Sequence, residues 1–133
     1  MANDTTPALG GGYGFTLKDS NQNVRNYGSL STTSVEITGT SDYGLLPAVA
    51  GRTYYIWGMN LTTDNSSAFG GFLEDSDGTE LMAGVCNLQG PFFLNLEIPI
   101  KITTGKGVQF DSLATGGVGK ECWALLFYTQ RDD

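Results

Sequence analysis

Apolar and polar side chains alternate with the two-residue period of a β-strand along residues 92–103. The even-numbered positions of this segment are apolar and most odd-numbered ones are polar, which predicts a strand with one face in a core and the other in solvent. Pro99 falls on the polar phase. Because proline cannot donate a ladder hydrogen bond, it predicts an edge strand or a bend between sheets. The predicted core-facing residues are Phe92, Leu94, Leu96, Ile98, Ile100 and Ile102.

Comparable segments occur along the whole chain, and each is bounded by glycine, asparagine, aspartate or proline. No window of a dozen residues has the apolar spacing of a helix, so the sequence predicts an all-β, antiparallel protein. Eight strands in a chain of this length are typical of a two-sheet sandwich. The predicted strands are residues 13–18, 33–38, 52–62, 68–74, 80–86, 92–103, 107–113 and 122–130.

Two β-hairpins are predicted between these strands. Residues 75–79 contain an Asp-Gly pair of the kind that closes β-hairpins, and residues 105–107 join the next two strands through two glycines. The acidic turn also has the first residues of a calcium-binding loop, but the remaining ligand spacing of an EF-hand is missing and strands flank it. A hairpin turn explains the same residues, so no metal site is predicted.

Two of the predicted strands, around residues 54–59 and 123–128, are apolar on both phases. In an antiparallel sheet with one face in solvent, one phase is expected to be polar, so these strands need a second cover. That cover is either a loop of the same chain or another subunit. The candidate subunit interface consists of Tyr55, Trp57, Met59, Trp123, Leu125 and Phe127.

Residues 1–14 differ from the remainder, because they contain Pro7 and a run of three glycines and show no periodicity. This predicts a flexible N-terminal arm followed by a single domain over residues 15–133. Four of the arm's residues can dock as an extended segment on a neighbouring protein surface. They are Pro7, Ala8, Leu9 and Tyr13.

Composition and charge narrow the possible partners. The chain has 133 residues with 7 basic and 14 acidic side chains, for a net charge of −7. This is the wrong sign for neutralising phosphates, so no nucleic-acid partner is predicted. The first residues lack a secretory signal, and the longest apolar run is far short of the ~20 residues of a membrane span, so no membrane partner is predicted. Cys86 and Cys122 lie in predicted strands, which favours two reduced core thiols over a disulfide.

The residues needed for most catalytic mechanisms are missing. Histidine is absent, which removes histidine-based acid–base chemistry and the commonest metal ligand. The glycine clusters match no phosphate-binding fingerprint. A pair of carboxylates remains conceivable as a catalytic site, although solvated carboxylates are the ordinary interpretation. The sequence therefore predicts no enzyme and no cofactor. The candidate carboxylates are Asp42, Glu74, Asp75, Asp77, Glu80, Glu97, Asp111 and Glu121.

From Gly51 onward, three features carry a family resemblance. Residues 51–58 form an aromatic strand entered from a loop, and the Asp-Gly-Thr hairpin at 77–79 is followed by Gly-Pro-Phe-Phe-Leu and the alternating strand from residue 90. Residues 104–110 then lead through a glycine-rich loop to a closing aromatic strand. In these features the chain resembles small jelly-roll proteins of tailed bacteriophages, namely head decoration (cement) proteins and related virion appendages.

The resemblance implies a jelly roll that often assembles as a homotrimer. It also implies a structural virion protein, made in the host cytoplasm, which binds the major capsid protein on the outer surface of the phage head and reinforces it. The arm would then dock on a neighbouring subunit or on the capsid. The alternative is a receptor-binding or carbohydrate-binding jelly roll of a head or tail fibre, which would use aromatic residues near loops. The candidates for that role are Tyr13, Tyr27, Tyr43 and Phe69.

Overall fold

A computed structural model describes residues 14–18, 24–63, 69–86, 92–114 and 122–132. These residues form ten β-strands and no helix. The strands are β1 (Gly14–Lys18), β2 (Val24–Ser29), β3 (Ser31–Glu36), β4 (Asp42–Leu46), β5 (Arg52–Thr63), β6 (Phe69–Asp75), β7 (Glu80–Cys86), β8 (Phe92–Lys101), β9 (Val108–Ala114) and β10 (Cys122–Asp132).

Eight of these strands form two antiparallel four-stranded sheets. The first sheet has the order β3-β10-β5-β8 and the second has the order β4-β9-β6-β7. Their pairings are nested: β3 pairs with β10, β4 with β9, β5 with β8, and β6 with β7. Nested pairing of eight strands across two packed sheets is the jelly-roll topology. The predicted fold class, an antiparallel two-sheet jelly-roll sandwich, is therefore confirmed.

The strands β1 and β2 form a separate antiparallel hairpin, and β2 lies beside β10. Residues 1–13, which make up nearly all of the predicted arm, lie outside the described residues. The residue pattern predicts eight of the ten strands, with ends that differ from the observed ones by at most two residues. It misses β2 and β4, because both are short and each contains a glycine in place of a regular apolar alternation.

The core lies between the two sheets and is filled from the central strands of both. Tyr54 is its largest fully buried residue, and its hydroxyl donates to the Pro47 carbonyl oxygen at 2.8 Å. The Tyr54 ring packs edge-on against Tyr128, with ring centroids 5.9 Å apart. Such an arrangement buries a large apolar ring while satisfying its polar end. Other fully buried side chains are Ile37, Ile56, Met59, Leu61, Leu73, Ile102, Val108, Phe110 and Leu126.

The edge strand β8 departs from the simple alternation that its sequence predicts. Asn95 pairs with Gly58 and Ile100 pairs with Ile56. The two pairs are five residues apart on β8 but only two residues apart on β5. The additional residues form a bulge that contains Pro99. The prediction of an edge strand is thereby confirmed, whereas the alternative of a bend between sheets is not found, because β8 pairs only within the first sheet. The prediction that Ile98 faces the core is wrong. Ile98 is 77% exposed because it lies in the bulge, whereas Phe92 before the bulge and Ile100 after it pack against the core.

The acidic turn between β6 and β7 is a hairpin turn. The Asp75 carboxylate oxygen Oδ1 accepts hydrogen bonds from the backbone N–H groups of Asp77 at 2.9 Å and Thr79 at 3.0 Å. The bond from Thr79 contributes most to lowering the pKa of Asp75 below its usual range. Gly78 has a φ of 85°, a conformation that favours glycine. Lys106 Nζ lies 2.7 Å from a carboxylate oxygen of Asp77. The second predicted hairpin, at residues 105–107, is wrong, because these residues connect β8 in the first sheet to β9 in the second.

Cys122 is a buried free thiol on β10, and its Sγ lies 3.3 Å from the hydroxyl oxygen of Thr63. Its position in the core agrees with the buried thiol that the sequence predicts. The side chain of Cys86 lies outside the described part of the chain.

The bulge in β8 predicts that substitutions at two isoleucines of the same alternating segment lower the free energy of unfolding by very different amounts. Ile102→Asn places an amide in the core and is expected to lower the free energy of unfolding by about 3 kcal/mol or more. Ile98→Asn changes an exposed side chain and is expected to cost less than about 0.5 kcal/mol. Urea unfolding followed by circular dichroism measures both values. Equal losses at the two positions would mean that the alternation continues unbroken and that Ile98 is a core residue.

Candidate functional site

The outer face of the first sheet carries a row of apolar side chains from β10. Cys122, Ala124 and Leu126 point into the core and are fully buried. Because side chains alternate along a strand, Trp123, Leu125 and Phe127 therefore point outward. Trp123 keeps 38% of its surface exposed, and the other two side chains are half-buried. Three of the predicted interface residues thus lie side by side on one outer face.

A bulge in β5 decides where the remaining predicted interface residues lie. Phe127 pairs with Gly58 and Tyr128 pairs with Ile56, so Trp57 is an extra residue in β5. The bulge reverses the phase of the strand, and Ile56 before it and Met59 after it both face the core. Met59 is fully buried. Its assignment to a subunit interface is therefore wrong.

Tyr55 and Trp57 lie on the outer side of β5, but Trp57 has less accessible surface for a partner than Trp123 on β10. The indole Nε1–H of Trp57 donates to the hydroxyl oxygen of Thr129 at 3.1 Å. Thr129 is fully buried and pairs across the sheet with Tyr55, which is half-buried. Trp57 is only 8% exposed. Its ring therefore contributes to the packing of the monomer more than to an accessible surface.

A glycine on β5 allows Phe127 to lie close to the sheet. A Cβ atom added at Gly58 would lie 2.5 Å from the Leu94 carbonyl oxygen and 3.5 Å from a ring carbon of Phe127. No larger residue fits there without a shift of the backbone of β8. The glycine thus keeps β5 and β8 in contact beneath the aromatic row.

The structure adds one residue that the sequence pattern does not assign to the interface. Phe93 on β8 is 59% exposed and pairs with Asn60, which in turn pairs with Leu125. Its position on the otherwise polar phase of β8 is the signal that identifies it. Phe93 and the β10 side chains lie on the same outer face, with Asn60 of β5 between them, and this surface is called the apolar face below. The apolar face consists of Phe93, Trp123, Leu125 and Phe127.

Charged side chains lie at the ends of this outer surface. Glu36 pairs with Trp123 at one end, whereas Lys101 pairs with Tyr55 and Arg131 pairs with Thr53 at the other end. Glu97 lies in the β8 bulge between them. Among the described residues, the strand positions between these ends carry apolar side chains, hydroxyl groups, amides and a glycine.

The outer face of the second sheet has the opposite character. Asp42 and Asp111 are directly opposite each other on β4 and β9, and Glu74 lies next to them on β6. One carboxylate oxygen from each residue lies within 4.8 Å of the others. Glu74 is buried, and its Oε1 accepts a hydrogen bond from Gln109 Nε2 at 2.8 Å. Asp42, Glu74 and Asp111 are called the acidic cluster below.

Burial raises the pKa of Asp111, and the negative charge of Asp42 and a hydrogen bond between the two carboxyl groups raise it further. Chemically, the acidic cluster offers a shared proton, or oxygen ligands of the type that hard cations such as Ca²⁺ prefer. All three residues are among the candidate carboxylates of the sequence. The sequence does not bring them together, because the strand that holds Asp42 is one of the two that it misses.

Other candidate residues are less informative. Pro7, Ala8, Leu9 and Tyr13 lie outside the described residues, as do the side chains of Tyr27 and Phe69. The hydroxyl of Tyr43 accepts a hydrogen bond from the Thr38 backbone N–H at 3.1 Å, so this ring closes the loop before β4. Within the residues that the structure describes, no helix has the length and apolar character needed to cross a membrane.

No family model, curated protein or solved structure matches this chain. The class of the protein is therefore defined by its fold, an all-β jelly roll with an apolar outer face on one sheet and an acidic outer face on the other.

The acidic cluster predicts a stability that falls as pH rises. The pKa of Asp111 is raised in the folded protein. Its protonated carboxyl group therefore contributes fully to the free energy of unfolding below the ordinary aspartate pKa, and this contribution is lost as pH rises through the raised pKa. Asp111→Asn removes the charge. It is expected to raise the free energy of unfolding at pH 7 by about 0.5–1 kcal/mol, allowing for solvent screening, with no gain at pH 3.

Urea unfolding at the two pH values measures this difference. Asp132→Asn is the control of opposite sign, because hydrogen bonding to Arg52 lowers the pKa of Asp132 and the variant should be less stable than wild type at pH 7. An Asp111→Asn protein that is less stable than wild type at pH 7 would show that the cluster is held by attraction rather than strained by repulsion.

Proposed function

We propose that this protein is a structural virion protein, a decoration (cement) protein on the outer surface of a tailed-phage head. It is made in the host cytoplasm, binds the major capsid protein and itself, and performs no reaction and needs no cofactor. The family resemblance implies a homotrimer. By bridging neighbouring capsid subunits, the bound protein stabilises the head against the pressure of the packaged genome.

The apolar face is the observation that carries this proposal. Phe93 and Trp123 are large side chains with much of their surface in solvent, on a sheet whose inner face already fills the core. Contiguous exposed apolar residues rimmed by polar ones mark surfaces that bind other proteins. Covering these two side chains is worth on the order of 2 kcal/mol, which supports a specific contact.

Bridging requires a rigid body, and the jelly roll provides one. At one end of the first sheet, the central strands β5 and β10 are joined by a bidentate ion pair between Arg52 and Asp132, with the Nε–Oδ1 distance at 2.6 Å. The Thr33 hydroxyl donates to the Leu45 carbonyl oxygen at 3.2 Å, linking β3 of the first sheet to β4 of the second. A partner that binds only the assembled state stabilises it by mass action, so a rigid protein bound across a subunit junction opposes separation of the subunits.

The alternative is a receptor-binding or carbohydrate-binding jelly roll of a head or tail fibre. The same outer surface supports it, because Trp123 and Phe93 lie beside the amide of Asn60 and the hydroxyl of Thr62. Aromatic rings that stack on sugars and polar groups that bind their hydroxyls are what such a site needs. The two functions differ in location, since only the first places the protein over the head lattice.

Electron microscopy of the native particle, combined with mass spectrometry of its components, tests the proposal. We expect density for the jelly roll on the outer surface of the head, at junctions between capsid subunits. Heads that lack the protein are expected to lose their genome at a lower temperature than complete heads, because the bridging contacts are gone. Density for this chain at a fibre tip, or its absence from the particle, would contradict the proposal. Location at a fibre tip would favour the alternative function.

A further inference from the structure

We infer that the apolar face binds the apolar face of a second copy of this protein in an antiparallel, two-fold contact. The inference rests on the proposed function, because it names which partner covers this surface. A two-fold contact is isologous and closes as a pair, so the homotrimer that the resemblance implies would need a different surface.

Charge is the first reason to choose a second copy as the occupant. Each chain has a net charge of −7, so two copies repel each other unless they meet through a surface without excess negative charge. The outer surface of the first sheet is such a surface. Its end residues Glu36, Lys101 and Arg131, together with Glu97 in the bulge, sum to zero among the described residues.

The arrangement of these charges is the second reason. Glu36 lies at one end of the outer surface, and Lys101 and Arg131 lie at the other. When a second copy is turned through 180° about an axis in the plane of the sheet and across the strands, the acidic end of each copy lies over the basic end of the other. Opposite charges then meet at both ends, while Trp123 and Phe93 are covered between them.

The second sheet lacks this self-complementarity. Its outer face carries Asp42, Glu74 and Asp111 within 4.8 Å of one another, and a two-fold contact would bring two such clusters toward each other. Like charges placed opposite each other across an interface are unfavourable. Of the two outer faces, only that of the first sheet suits a contact between identical copies.

The size of the surface sets the expected strength. Four strands spaced about 4.8 Å apart, over about nine residues of β10, span on the order of 500 Å² per copy, but Trp57 and Thr129 on this face are already buried in the monomer. A contact between two copies therefore buries less than about 1,000 Å² in total, which is the range of weak, transient interfaces. We therefore expect reversible association, measurable by sedimentation equilibrium between about 1 and 500 μM protein.

A pair of variants at exposed apolar positions tests the role of the apolar face. The double variant Phe93→Lys/Trp123→Lys places charge in the centre of the contact and is expected to weaken association at least tenfold. Leu113→Lys is the matched control, because Leu113 is 57% exposed on β9 and its strand position places it on the outer face of the second sheet. This control is expected to associate within twofold of wild type. Circular dichroism verifies that each variant is folded.

A charge exchange tests whether the occupant is a second copy. Glu36→Lys and Arg131→Glu are each expected to weaken association three- to tenfold, and the double variant Glu36→Lys/Arg131→Glu is expected to return it to within twofold of wild type. Within one chain these residues lie at opposite ends of the adjacent strands β3 and β10, roughly 25 Å apart, whereas the two-fold places Glu36 of one copy over Arg131 of the other. Recovery in the double variant therefore reports contact between chains.

A dimer mass supports the inference, as does a hexamer made of two trimers. A protein that stays monomeric or trimeric across the whole concentration range, or a double charge variant that does not recover, would overturn it. The proposed function is judged separately. A particle in which the protein decorates the head while its apolar face contacts the capsid or a glycan would support that function and overturn the two-fold contact.

Discussion

The structure depends on one extra residue in the central strand β5. Trp57 has no counterpart on β10, and the bulge that it forms reverses the inward and outward phases of the strand. Ile56 and Met59 both reach the core only because of this reversal. The indole of Trp57 remains on the outer side, where its hydrogen bond to Thr129 fixes the bulge. The two core residues on one side of β5 and the buried indole on the other are both consequences of this irregularity.

The regular part of the fold is predictable from sequence, and the irregular part is not. Alternation and turn residues predict the all-β class, most strands and the Asp75 hairpin turn, because these follow from the strand period and local turn chemistry. The same reasoning fails for Ile98, which lies in a bulge, and for Met59, which follows one, because the pattern of apolar residues does not reveal either bulge. The sequence pattern also does not predict the acidic cluster, because the cluster forms only when β4 pairs with β9, and these strands are far apart in the chain.

The two sheets present outer faces with opposite electrostatic properties. In a chain with a net charge of −7, the acidic cluster concentrates negative charge on the second sheet, and the apolar face provides a surface across which charges balance. Such a distribution directs association, because it makes one orientation of two copies favourable and others repulsive. The proposed decoration function would use this directionality to present the remaining surfaces to the capsid in a defined way.

Tryptophan fluorescence offers the most direct measurement of whether the apolar face is an assembly surface. The chain has two tryptophans, of which Trp57 is buried in the monomer and Trp123 is exposed on the apolar face. Acrylamide quenching at low and high protein concentration compares the accessibility of Trp123 in the two states. We expect an accessible tryptophan at low concentration that becomes protected as the protein associates. Association with unchanged quenching of Trp123 would contradict the assignment of this face.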